Sequence, residues 1–176
     1  AFALSSHPRN VPDDILRLLP ANGGVIMITF VPPFVSPQDW AWSRERSAQE
    51  ARLKSIYSFS TQRQKDELKK WERANPAPSV TVSNVADHIE HVVRVAGHDH
   101  VGIGGDLDGI DRTVSGLGGV ETYPNLFAEL IGRGWSDSNL AKLAGGNVLR
   151  VMRRAEAVAA SMKDQPASMA VLEPAK

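Results

Sequence analysis

Asp106 closes a short apolar run, His100-Val101-Gly102-Ile103-Gly104-Gly105-Asp106, whose glycines permit close backbone approach. A carboxylate at the end of a buried strand is placed to act as a general acid or base, or to ligate a metal. The same residue suits a turn in which its side chain satisfies backbone N–H groups within Gly104-Gly105-Asp106-Leu107-Asp108-Gly109, and spacing alone leaves both readings open. Asp108 directly precedes Gly109 and reads as the turn residue. Asp106, Asp108 and Asp111 do not make a calcium loop, because the glycine comes too early and the twelfth position is Leu117 rather than glutamate. Nor is Gly102-Ile103-Gly104-Gly105 a dinucleotide fingerprint, since Leu107 stands at the third glycine position.

The five histidines fall at positions 7, 88, 91, 98 and 100. His88 and His91 lie one helical turn apart beside Asp87 and Glu90, which is half of a metal site. The stronger reading puts both on the polar side of an apolar stripe, as solvated or pairing residues. His98 and His100 precede a strand, where stability rather than catalysis is expected. Arg9 lies in a polar loop; its planar fork of donors suits bidentate capture of a carboxylate, although a lone loop arginine is more often simply solvated. With no cysteine, disulfides, thiolate catalysis and zinc fingers are excluded.

The elements that must position these residues follow from pattern. Pro12-Asp13-Asp14 opens a short helix over 12–19. The unalternating, β-branched run 25–30 predicts a strand buried on both faces, as in parallel sheets. Pro32, Pro33 and Pro37 predict a loop, followed by two exposed helices over 40–57 and 61–74. Ser83 is the expected cap of a helix whose Val85, Ile89, Val92, Val93 and Ala96 form one stripe, ended by Gly97. After the strand ending at Asp106, Tyr123-Pro124 opens a helix closed by Gly134, Ser136 caps another that reaches Gly145-Gly146, and Asn147 begins a last helix to about Met162. Residues 163–176 read as a flexible tail.

This order is the α/β signature. A free two-stranded parallel sheet would leave both edges unpaired, so the reading is the C-terminal portion of a TIM-like (β/α)8 barrel: its last two βα units with their helices, together forming one partial domain over 1–162. Twenty basic and twenty acidic residues cancel, which disfavours nucleic acid and anionic membrane surfaces as partners. The longest apolar run, 25–31, is far short of a membrane span. The opening Ala-Phe-Ala-Leu-Ser-Ser lacks both an initiator methionine and the character of a signal peptide, so the natural N-terminus is expected upstream.

Five stretches together resemble the membrane (renal) dipeptidase family, in its order and spacing across residues 1 to about 160. They are His7-Pro8-Arg9-Asn10-Val11-Pro12-Asp13-Asp14, Val85-Ala86-Asp87-His88-Ile89-Glu90-His91, Val101-Gly102-Ile103-Gly104-Gly105-Asp106-Leu107-Asp108-Gly109, Tyr123-Pro124-Asn125-Leu126 and Gly145-Gly146-Asn147-Val148-Leu149-Arg150-Val151. The resemblance implies a barrel with two zinc ions sharing a hydroxide, and hydrolysis of dipeptides with tolerance for a D-residue at the C-terminal position. It implies that Arg9 holds the substrate's terminal carboxylate, that Asp106 handles the proton passing from water to the leaving amine, and that Phe34 lines the substrate pocket. Thr29 stands where the family more usually has asparagine. Residues 38–78 resemble the insertion of bacterial members.

The family's metal ligands lie on strands that this chain does not match, so it is expected to hold none, to be inactive alone, and to need the N-terminal barrel portion as partner; a homodimer is left open. The rival expectation is a non-catalytic fragment or homologue acting by protein–protein association.

Overall fold

The computed structural model describes residues 1–166, 169 and 170. Residues 167–168 and 171–176 of the expected tail lie outside the described residues.

Two strands, β1 (Ile26–Thr29) and β2 (Val101–Gly105), pair in parallel. Their register runs Ile26↔Val101, Met27↔Gly102 and Ile28↔Ile103, then skips Gly104 so that Thr29 faces Gly105. One sheet face carries Ile28 and Val101 into the core, with Phe30 just beyond β1. The other face is more open: Met27, 38% exposed, lies over Gly102, and Gly104 is exposed. The expectation of burial on both faces is therefore corrected for this chain. A continuous apolar run signals two buried faces, and the chain itself buries one.

The principal cover is α6 (Val82–Ala96), which buries Val85, Ala86, Ile89, Val92 and Ala96. Its cap is Thr81, not Ser83: the Asn84 side chain accepts from the Thr81 N–H at 2.9 Å, a capping box that fixes the start two residues earlier. Gly97 ends the helix as the pattern predicts.

Three further expectations shift for local reasons. The single helix over 12–19 is two turns, α1 (Asp13–Leu16) and α2 (Leu19–Asn22), because Pro20 has no N–H to return to the Leu16 carbonyl. The proline-rich loop is instead a short helix, α3 (Pro32–Val35), leading into α4 (Pro37–Ile56); prolines sit in the first turns of both, where no intrahelical donor is needed. With α5 (Thr61–Ala74), α4 forms a hairpin held by Arg46–Glu72 at 2.7 Å and the Trp42–Trp71 ring contact.

Beyond β2, α7 (Tyr123–Gly132) packs on α6 through Arg133, whose guanidinium donates to Asp87, Glu90, Ser83 and Glu129. Gly134, at φ 88°, closes that helix. Ser136 caps α8 (Asp137–Ala141), a π-turn spans Lys142–Gly146, and α9 (Asn147–Ser161) completes the described elements. Buried Asn147 donates from Nδ2 to the carbonyls of His98 and Val101 at 2.7 and 2.9 Å, fastening α9 to the start of β2. No described helix is long and apolar enough to cross a membrane.

Candidate active site

The segment His7-Pro8-Arg9-Asn10 is a tight turn closed by Asn10 N–H donating to the His7 carbonyl at 2.9 Å. Inside it the Arg9 N–H donates to Nδ1 of His7 at 3.2 Å. Asn10 ties the turn outward, its Nδ2 donating to the carbonyls of Ser5 and Phe34 at 2.8 Å each. The following helix start is anchored by Asp13, whose carboxylate meets Nε2 of His91 at 2.7 Å. That bond, ahead of nearby positive charge, holds the Asp13 carboxyl below the usual carboxylate range.

Arg9 is thereby displayed on an ordered scaffold. Its guanidinium is exposed and lies 4.9 Å from the centroid of the Phe34 ring, a stacking contact that leaves the edge donors free. Arg9, Asn10 and Phe34 line a cavity of about 150 Å³ with Thr29 of β1 and His88 of α6. The structure thus brings together two of the three residues expected at the site, Arg9 and Phe34.

Asp106 stands apart, in a separate shallow concavity with Leu107, Asp108, Gly109 and Tyr123. It follows β2 directly, and the Phe30 N–H donates to the Gly105 carbonyl beside it at 2.8 Å, so the two strand ends are neighbours. Asp106 is the one non-glycine with positive φ, 71°, among the described residues. Its carboxylate is exposed and has no hydrogen bond to any described residue. A turn aspartate would lend that carboxylate to backbone N–H groups; here the backbone closes the turn, with the Asp106 carbonyl accepting from Gly109 at 3.3 Å.

Of the α6 histidines, His91 pairs with Asp13 as the sequence allowed, but neither ring is solvated. His88 is 2% exposed and His91 8%, both buried, because α1 and the first residues of the chain pack over the helix side expected to be wet. Nδ1 of His88 lies 2.6 Å from the Ala1 nitrogen, and its Nε2 has no partner among the described residues. Burial, the largest cause, pushes its pKa well below the ordinary histidine value, so the ring is neutral. His98 and His100 are structural: His98 packs edge-on against Trp135, and His100 Nδ1 meets the Gly24 carbonyl at 2.7 Å.

Sequence reasoning missed His7, Trp40 and Asp39. Asp39 is fully buried in the first turn of α4 and receives both of its 2.7 Å bonds from one nitrogen of Arg112, whose guanidinium lies over Trp42. This pair sits beside a cavity of about 520 Å³ between the α4–α5 hairpin and the segment after β2. A carboxylate in the first turn of a polar helix carries no signal for a partner 73 positions away.

Among the described residues no group of three or more His, Cys, Asp or Glu side chains is arranged to hold a metal ion.

A family model described as membrane dipeptidase, peptidase family M19, matches residues 1–166. Dipeptidase verJ of Clonostachys rogersoniana is 38% identical over 162 residues, covering 92% of this chain and 31% of that protein. Dipeptidase aclJ of Aspergillus oryzae is 35% identical over 164 residues, 93% and 30% of the two. The chain spans about a third of the length of these curated relatives. Among solved structures, the probable dipeptidase PvdM of Pseudomonas aeruginosa aligns with TM-score 0.63 and 27% identity over 84% of this chain and 41% of that one. A metallopeptidase of Rhodobacter sphaeroides, solved with a phosphinate mimic of the dipeptide L-Ala-D-Ala, shares the fold at TM-score 0.61 and 20% identity, over 87% and 33%.

Proposed function

Because this chain belongs to the membrane dipeptidase family, peptidase family M19, we propose that it supplies the substrate-recognition and proton-handling part of a dipeptide-hydrolysing site. The observation that carries this reading is the Arg9 guanidinium, exposed, braced on Phe34 and facing a cavity at the end of β1.

Arg9 holds the terminal carboxylate of the substrate through a bidentate contact. It works as a ruler: only a peptide that ends one residue beyond the scissile bond brings its carboxylate to the guanidinium while the bond reaches the reacting centre. Phe34 fixes the plane of the clamp and lines the pocket. Asp106 takes a proton from the attacking water and returns it to the leaving amine. Its freedom from internal hydrogen bonds supports that role.

The metal chemistry of such a site, two zinc ions in this proposal, is assigned to a complementary N-terminal barrel portion. The short coverage of the relatives and the more open sheet face support that portion as the partner of β1 and β2. In the same reading these strands and the helices that follow are the last units of a (β/α)8 barrel, with the α4–α5 hairpin as the insertion at 38–78 and 163–176 as its tail.

The test compares zinc content and hydrolysis of Gly-D-Ala and Ala-Ala by this chain alone and by the chain joined to a complementary barrel portion. Activity with about two zinc ions only in the joined protein is the expected result. Folded, metal-free and inactive protein in both forms would overturn it in favour of a non-catalytic chain acting by association.

A further inference from the structure

His7 is 9% exposed and packs against two rings, its centroid 4.3 Å from that of Phe34 in a tilted contact and 4.3 Å from that of Trp40 edge-on. Phe34 in turn carries the Arg9 guanidinium, and Trp40 has Arg44 5.9 Å from its centroid. The result is one continuous pile running Arg9, Phe34, His7, Trp40, Arg44, from the candidate clamp to helix α4. His7 also accepts the Arg9 N–H at Nδ1, so it fixes both the backbone of Arg9 and the ring on which its side chain rests.

We propose that His7 is the positioning residue of the Arg9 clamp, acting as a neutral imidazole with its proton on Nε2, and that through it helix α4 helps to set affinity for the substrate carboxylate. The inference rests on the assignment of Arg9 as that clamp. A protonated Nδ1 cannot accept from the Arg9 N–H, and it would set a cation beside Arg9. The charged groups around His7 are Arg9 on its own turn and Arg44 beyond Trp40. Helix α3 offers none, and Asp39 of α4 is committed to Arg112. Burial first, then Arg9, lowers the His7 pKa below its ordinary value, which keeps the ring neutral.

The experiment measures KM and kcat for a dipeptide between pH 5 and 8 in the metal-loaded, dipeptide-hydrolysing protein, with His7→Asn, His7→Phe and Arg9→Ala variants. Asn keeps an acceptor near Nδ1 and cannot titrate; Phe keeps the pile and has no acceptor. The expected result is a parent KM that climbs as the medium turns acidic, a flat KM for H7N, and for H7F a rise of about 10- to 100-fold at every pH with kcat retained. Unchanged KM in H7F, or an acid rise persisting in H7N, would overturn the role of His7 while a large loss in R9A keeps the clamp. If R9A itself matches the parent, the clamp falls. Should H7F unfold, the H7N profile alone decides.

Discussion

Arg9 differs from a solvated loop arginine in that its backbone and ring support are both fixed before any substrate arrives. A lysine at this position keeps the charge and loses the planar fork and the stack. In the protein joined to its complementary barrel portion, Arg9→Lys is therefore expected to cost nearly as much as Arg9→Ala, on the order of 2 to 5 kcal/mol in kcat/KM for a dipeptide. Near-normal kcat/KM for the lysine variant would remove the clamp. Asp106 permits a second separation of roles. Its left-handed backbone costs a non-glycine residue about 1 kcal/mol or more, so Asp106→Gly should raise the unfolding free energy by about that amount while abolishing hydrolysis. Loss of stability in that variant, read by denaturant titration, would mean that the carboxylate holds the turn together instead.

Among the elements, what was legible in the sequence was local. The α6 stripe, the Gly97 and Gly134 stops, the Ser136 cap and the start of α9 at Asn147 all depend on neighbours within one or two turns. What was not legible depended on distant packing. The side of α6 bearing His88 and His91 is dry because residues 1–16 cover it, and the proline-rich stretch folds as helix starts because α3 leads straight into α4. The break between α1 and α2 was available from Pro20 and was passed over. Arg9 and Phe34 as a pair came from family resemblance; no spacing rule joins a loop arginine to an aromatic 25 positions on. Gly105 illustrates a tight joint between elements: at φ 64°, a Cβ there would lie 2.5 Å from the Tyr123 hydroxyl. Gly105→Ala should destabilise by about 1 to 3 kcal/mol, and Gly105→Ala combined with Tyr123→Phe should recover only the steric part. Full recovery in the double variant would show that backbone conformation contributes nothing.

For the whole molecule, buried neutral imidazoles make acid the direction of weakness. An unfolded His88 binds its proton near pH 6.5 and the folded one, held neutral by burial, well below that, so between those values the unfolded state holds more protons. Stability then rises with pH across that window and is lost as pH falls through it, by at most about 1.4 kcal/mol per pH unit for this one proton. His7 adds to the same slope. Unfolding titrations at pH 7, 6, 5 and 4 should show the decline, and His88→Leu should flatten it; an unchanged slope in that variant would place the proton uptake elsewhere.

The skipped residue in the register bears on how such chains can change over time. Strand side chains alternate between two faces, so the sheet keeps a parity, odd positions one way and even the other. Gly104 is the extra residue between the Ile28↔Ile103 and Thr29↔Gly105 pairs, and it reverses that parity just before Asp106. Deleting Gly104, a loss of no side chain at all, would keep Thr29 opposite Gly105 but straighten the ladder, removing the bulge that precedes the left-handed step at Asp106. A single-residue gap here would reshape the end of β2 while leaving Arg9, Phe34 and Asp106 themselves in the sequence.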